Sequence, residues 1–149
     1  MRVSQYAYFA LSSSHTSAAE MAAVLGLEPD ETTVRGSRIA EPGAVPALHR
    51  WKIVCREPGL HVDEQIARIV HRLAPHTAAI AALAGRLDDE EPGPAAVLEV
   101  VRTFDDRAAA ETPATLGWHL DREILDFLQT TGAVLDVDEY DMTPGPDEA

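Results

Sequence analysis

The 149-residue chain has a single cysteine, Cys55. That excludes an internal disulfide and any cysteine-rich zinc or iron–sulfur site. Aromatic residues are scarce at 5 %, so the core has few rings to build on. No apolar run approaches ~18 residues, and no membrane span is expected. The first fifteen residues hold one Arg and no apolar run ending in a small-residue cleavage site, so no signal peptide and a cytoplasmic location are expected. Basic residues are also few: 12 Lys+Arg against 25 Asp+Glu, for a formal charge of −13. The imbalance is local. Residues 1–75 carry 8 basic and 8 acidic side chains, and residues 76–149 carry 4 and 17. A field of that sign repels phosphate backbones, which excludes nucleic acid and anionic membranes as partners. It attracts a basic protein, a cationic ligand or a metal ion, and it also serves plain solubility. The skew toward Arg and Ala carries no mechanism.

What is present is enough for a fold. Hydrophobic residues make up 46 % and mean hydropathy is −0.12, which excludes a wholly disordered chain. Length predicts one domain, with 1–141 as the folded unit and 142–149 as a disordered acidic tail. Strands are predicted at Val3–Leu11, Trp51–Arg56, Ala95–Phe104 and Ala133–Tyr140, from their β-branched and aromatic content. A short edge strand is expected within Thr32–Ile39. Thr16 or Ser17 caps a helix that Gly26 stops, with Glu20 at capping-box spacing from Ser17. Val62–Ala74 is amphipathic through Ile66, Ile69, Val70 and Leu73. Pro75 ends or kinks it, and Thr77–Leu87 continues as helix. Leu120–Thr131 is the last helix, closed by Gly132. Residues 105–115 read as a mobile loop.

The order β-α-(β)-β-α-β-α-β contains a faint echo. Glu20, Met21, Val24 and Leu25 align with Glu123, Ile124, Phe127 and Leu128, each followed by a glycine and an extended segment. Two βαβ-like halves joined by an additional long helix describe an α+β, ferredoxin-like two-layer sandwich with an antiparallel or mixed sheet of four to five strands.

Several pieces in this order resemble one known family. They are Tyr6-Ala7-Tyr8-Phe9 before a Ser-rich loop, Leu25-Gly26-Leu27-Glu28-Pro29, Arg35-Gly36, Trp51 opening a strand, and the closing Leu135-Asp136-Val137-Asp138-Glu139-Tyr140. Together they are similar to the domain of unknown function 4279 (DUF4279). The resemblance implies a small bacterial cytoplasmic domain of mixed α and β structure. It brings no catalytic residues and no cofactor.

Alternation supplies the candidate site. Side chains on a strand point to opposite faces in turn. Leu135 and Val137 face the helices, so Asp136, Asp138 and Tyr140 face away. Tyr6 and Tyr8 face away from Val3, Phe9 and Leu11 by the same rule. In a sheet of this kind the first and last strands are neighbours, which joins Tyr6, Tyr8, Asp136, Asp138 and Tyr140 into one aromatic, acidic surface. Such a surface suits a protein or cationic partner. It equally suits a homodimer seam or a solvated face.

Other constellations are weaker. Asp136, Asp138 and Asp141 offer oxygen ligands for Ca²⁺ or Mg²⁺, but a strand holds such carboxylates side by side, and no metal is expected. His71 and His76 miss the spacing of a helical zinc pair. The remaining histidines, His15 and His119 among them, read as surface or capping residues. Cys55 alternates with Trp51 and Ile53 and reads as a small buried hydrophobe. Ser12-Ser13-Ser14-His15 lacks a nucleophile elbow and reads as capping chemistry. Arg35-Gly36-Ser37-Arg38 is a basic turn able to hold one anion, so Arg35 joins the candidate binding residues. Trp51 is core packing or a pocket wall, and Trp118 a staple onto the sheet.

The leading expectation is a non-enzymatic protein-binding module with a basic or complementary partner, an immunity or antitoxin-like protein being one form. The second is a small-molecule binder or enzyme whose cleft gathers Arg35, His49, Trp51 and His61. The third is a structural homodimer. No catalytic residue and no cofactor is assigned.

Overall fold

The computed structural model describes residues 1–37, 45–107 and 116–145. The first strand, β1 (Arg2–Ser13), sends Ala7, Phe9 and Leu11 to one side, all fully buried. Its Tyr6 and Tyr8 go to the other side, as period-two alternation requires. Helix α1 (Ala18–Leu25) follows. Ser17 Oγ accepts from the Glu20 N–H while a Glu20 carboxylate oxygen accepts from the Ser17 N–H, the reciprocal capping box. Gly26 ends the helix at φ 63, a left-handed conformation that glycine adopts without Cβ strain. Strand β2 (Glu31–Thr33) is three residues long, and Ile39 of the expected edge strand lies outside the described residues.

Strand β3 (His49–Cys55) buries Trp51, Ile53 and Cys55 on the side of Phe9. Helix α2 (Val62–Leu73) passes through a 3₁₀ turn at Ala74–His76 into α3 (Thr77–Glu90). The turn falls at Pro75, whose missing N–H and ring forbid an unbroken α-helix. Strand β4 (Ala96–Asp105) precedes α4 (Arg122–Thr131), which Asp121 caps through the Ile124 N–H and Gly132 closes at φ 69. Strand β5 (Val134–Asp141) completes the sheet. The expected mobile loop is described only as far as residue 107, and of the expected tail only 142–145 is described.

The architecture is α+β, with one mixed five-stranded sheet in the order β2-β3-β1-β4-β5. Pairs β2/β3, β1/β3 and β1/β4 are antiparallel, and β4/β5 is parallel. One correction concerns the neighbours of β1. It pairs with β3 and β4, so the first and last strands are separated by β4. The physical reason lies in β4 itself. Val97 and Val101 on one side and Leu98 and Val100 on the other make it apolar on both faces, which suits an interior strand. Strand β5 has all eight residues exposed and four acidic ones, which suits an edge.

A single apolar cluster lies between the sheet and the helices, with Trp51, Phe9, Ile66, Leu73, Leu83 and Leu98 among its fully buried members. Phe127 of α4 meets Phe9 edge-on, ring centroids 5.5 Å apart. Trp118 packs against this cluster. No helix among the described residues packs on the opposite face of the sheet, and none is long and apolar enough to cross a membrane.

Candidate functional site

The uncovered face is built in strips that follow the strand order. Strand β3 contributes Arg50, Lys52 and Val54, the residues alternating with its buried ones, and Arg56 follows just past its end. Central β1 contributes Tyr6 and Tyr8, whose rings stack 6.3 Å apart at 21°. Lys52 Nζ sits 4.5 Å above the Tyr8 ring and the Arg56 guanidinium 4.1 Å above the Tyr6 ring. Both lie within cation–π range. Burial is the main influence on two of these groups, raising the Tyr8 hydroxyl pKa and lowering that of the Lys52 ammonium.

Beyond β1 the charge reverses. Glu99 of β4 stands opposite Tyr8 on one side and Asp136 of β5 on the other, and Asp138 follows one row along. A carboxylate oxygen from each of Glu99, Asp136 and Asp138 lies within 4.8 Å of the others. Glu99 is only 6 % exposed. Burial first, then a proton shared with Asp138 and the charges of Asp136 and Asp138, push its pKa up to about 7. Such a trio admits two chemistries: oxygen ligation of a hard divalent cation, or retention of a proton near neutral pH.

The residues expected from sequence are dispersed unevenly. Tyr6, Tyr8, Asp136, Asp138 and Tyr140 do share the uncovered face, across β1, β4 and β5. Tyr140 lies at its far end beside Thr103 and is half exposed. Asp141 stands outside the carboxylate trio, and Glu99 takes the third place. Trp51 is wholly buried on the helix side, its indole N–H donating to the Leu27 carbonyl at 3.1 Å. It is therefore a core residue and offers nothing to a surface ligand.

Arg35 and His49 meet at one end of β3, where His49 Nδ1 accepts from the Arg35 N–H at 3.0 Å. Arg35 also donates to the Ser14 carbonyl, and Arg38 of the same turn lies outside the described residues. His61 sits past the opposite end of β3, where its N–H is held by Glu64 at the start of α2. The four residues do not converge. In the Ser-rich loop, Ser13 Oγ accepts from the His15 and Thr16 N–H groups, and Ser14 donates to Glu91. Its hydroxyls thus fix the turn.

Sequence reasoning missed Glu99 and the cationic strip of Arg50, Lys52 and Arg56. One signal for Glu99 was available: it is the only acid within the apolar run Ala95–Val101. The cationic strip needed the strand order.

No curated protein and no solved structure matches this chain. A family model does: residues 3–142 of the 149 match the domain of unknown function DUF4279. That span takes in every described strand and helix except the first residue of β1, and on it the chain belongs to the DUF4279 family.

Proposed function

We propose that the protein is a non-enzymatic protein-binding module that docks a partner on the uncovered sheet face. The observation that carries this reading is the Tyr6–Tyr8 stack set between a cationic strip and a carboxylate trio on a face to which no described helix packs. Tyrosines supply contact area at low conformational cost, and flanking charges set orientation and exclude wrong partners. An immunity or antitoxin-like protein, masking a basic surface with its acidic flank, is one concrete form. The order β2-β3-β1-β4 also supports a ferredoxin-like core with β5 added at the edge of β4.

The test is capture of partners from the native host's lysate by the tagged chain and by an Asp136→Asn/Asp138→Asn variant with the same circular dichroism. A stoichiometric partner held by the parent chain and lost by the variant is the expected result. Equal capture by both sinks the reading.

A further inference from the structure

We propose that the occupant of the uncovered face is a second copy of this chain, docked face to face about a two-fold axis that runs along β1. The inference rests on the docking reading above and names its partner. Strand β1 is the middle strand of five. On one side of it the uncovered face carries Arg50, Lys52 and Arg56 with Glu31 of β2, a net positive charge, and on the other Glu99, Asp136 and Asp138. A half-turn about an axis along β1 exchanges left and right while bringing the two faces together. Strand β3 of each copy then lies over β4 of the other, twice, so each cationic strip faces Glu99 with Asp136 and Asp138 one strand further out, and the tyrosines of the two copies meet on the axis. Such an interface is isologous, so the same contacts occur in both directions.

The charge pattern selects this axis against its rival. A half-turn about an axis across the strands lays cationic strip on cationic strip and carboxylates on carboxylates, which is repulsive at both sites. Aligned packing of two twisted sheets, at about −30°, preserves the favourable match.

Within its own chain the cationic strip is compensated only at Arg56, which pairs with Glu31. Among the described residues, neither Arg50 nor Lys52 forms an ion pair, and neither does any carboxylate of the trio. Arg50 and Lys52 act on the buried Glu99 without forming an ion pair with it, which leaves its carboxylate costly in the single chain. The other copy's Arg and Lys side chains supply the missing partners. Five strands about 4.8 Å apart and seven residues rising about 3.3 Å each give a face of ~550 Å² per copy. That is at the small end for a specific interface, so the charge match has to contribute.

Light scattering with sedimentation, from micromolar to near-millimolar protein at physiological salt, reads the mass of the parent chain and two variants. One variant reverses the acidic side (Asp136→Arg/Asp138→Arg), and the other reverses the basic side (Arg50→Glu/Lys52→Glu). The parent chain is expected as a dimer and each variant alone as a monomer. An equimolar mixture of the two variants is expected to recover the dimer mass, because every strip again faces its opposite. Recovery on mixing also separates lost pairing from lost folding.

A monomeric parent chain at the highest concentration overturns the proposal whatever the variants do. So does a variant that stays dimeric, or a mixture that does not associate. If the dimer fails while the acidic reversal still abolishes lysate capture, the docking face stands with a different occupant. If capture is also unchanged, both readings fall.

Discussion

The two flanks of β1 handle charge in opposite ways. On the β2–β3 flank every acid near the sheet has a cation at hand. Asp30 takes both Arg72 guanidinium nitrogens at 2.7 and 2.9 Å and also accepts from the Val54 N–H. Glu31 takes Arg56 at 2.9 Å. Those hydrogen bonds lower the pKa of both carboxyls. On the β4–β5 flank the ion pair at hand, Arg102 to Glu139 at 3.8 Å, comes from residues of the opposite alternation. Glu99, Asp136 and Asp138 form no ion pair among the described residues and lie against one another. The same functional group therefore shifts in opposite directions within one sheet, and the difference is the neighbour, not the strand. One flank pairs its acids, and the other leaves them for something outside the chain.

The largest expected effect separates the flanks by packing. Trp51→Ala on the β3 side removes a wholly buried ring and its hydrogen bond, at a cost of about 3–5 kcal/mol. Val137→Ala on β5 removes a side chain 36 % exposed and costs about 1 kcal/mol. Urea denaturation of the two variants measures this, and equal costs would abolish the distinction.

The next effect is electrostatic. Glu99 has a folded pKa above its ordinary value, so it binds its proton more tightly folded than unfolded. Its contribution to stability is present below pH about 4.5 and is lost as pH rises through about 7. Facing it are Asp136 and Asp138 from β5, Tyr8 from β1, and Arg50 and Lys52 from β3. The shift corresponds to at most about 3 kcal/mol. Glu99→Gln is expected to flatten that decline and to stabilise the protein at pH 8. Unfolding free energies of both chains across pH 4–8 decide it, and parallel curves would contradict the assignment.

The smallest effect belongs to the flank whose acids are paired. Arg72→Ala breaks a partly exposed pair, and its cost is expected to stay below about 1 kcal/mol and to shrink further in high salt. A larger, salt-independent loss would mean that this flank is held by more than the pair.

Much of this was legible in the amino-acid order. The Ser17–Glu20 box, the stops at Gly26 and Gly132 and the kink at Pro75 are local chemistry, settled within a few residues. The facing of Tyr6, Tyr8, Asp136 and Asp138 follows from period-two alternation alone. The neighbours of those residues do not. Strand β4 is apolar on both sides, so its alternation gives no hint of which face Glu99 takes. The pairing of β4 with both β1 and β5 is a long-range fact. Trp51 was ambiguous because a tryptophan suits a core and a pocket wall equally. Its buried hydrogen bond to Leu27, twenty-four residues away, resolves the choice.

The outer edge of β5 has a consequence for solubility. An eight-residue strand that no other described strand pairs along one side invites another strand to add to it, and repetition of that step grows fibrils. Half of the residues on this edge are acidic: Asp136, Asp138, Glu139 and Asp141. A second β5 laid alongside in register would bring carboxylate against carboxylate at four of the eight rows. The acids that leave the flank short of cations thus act as gatekeepers, keeping copies of this chain from polymerising edge to edge at neutral pH.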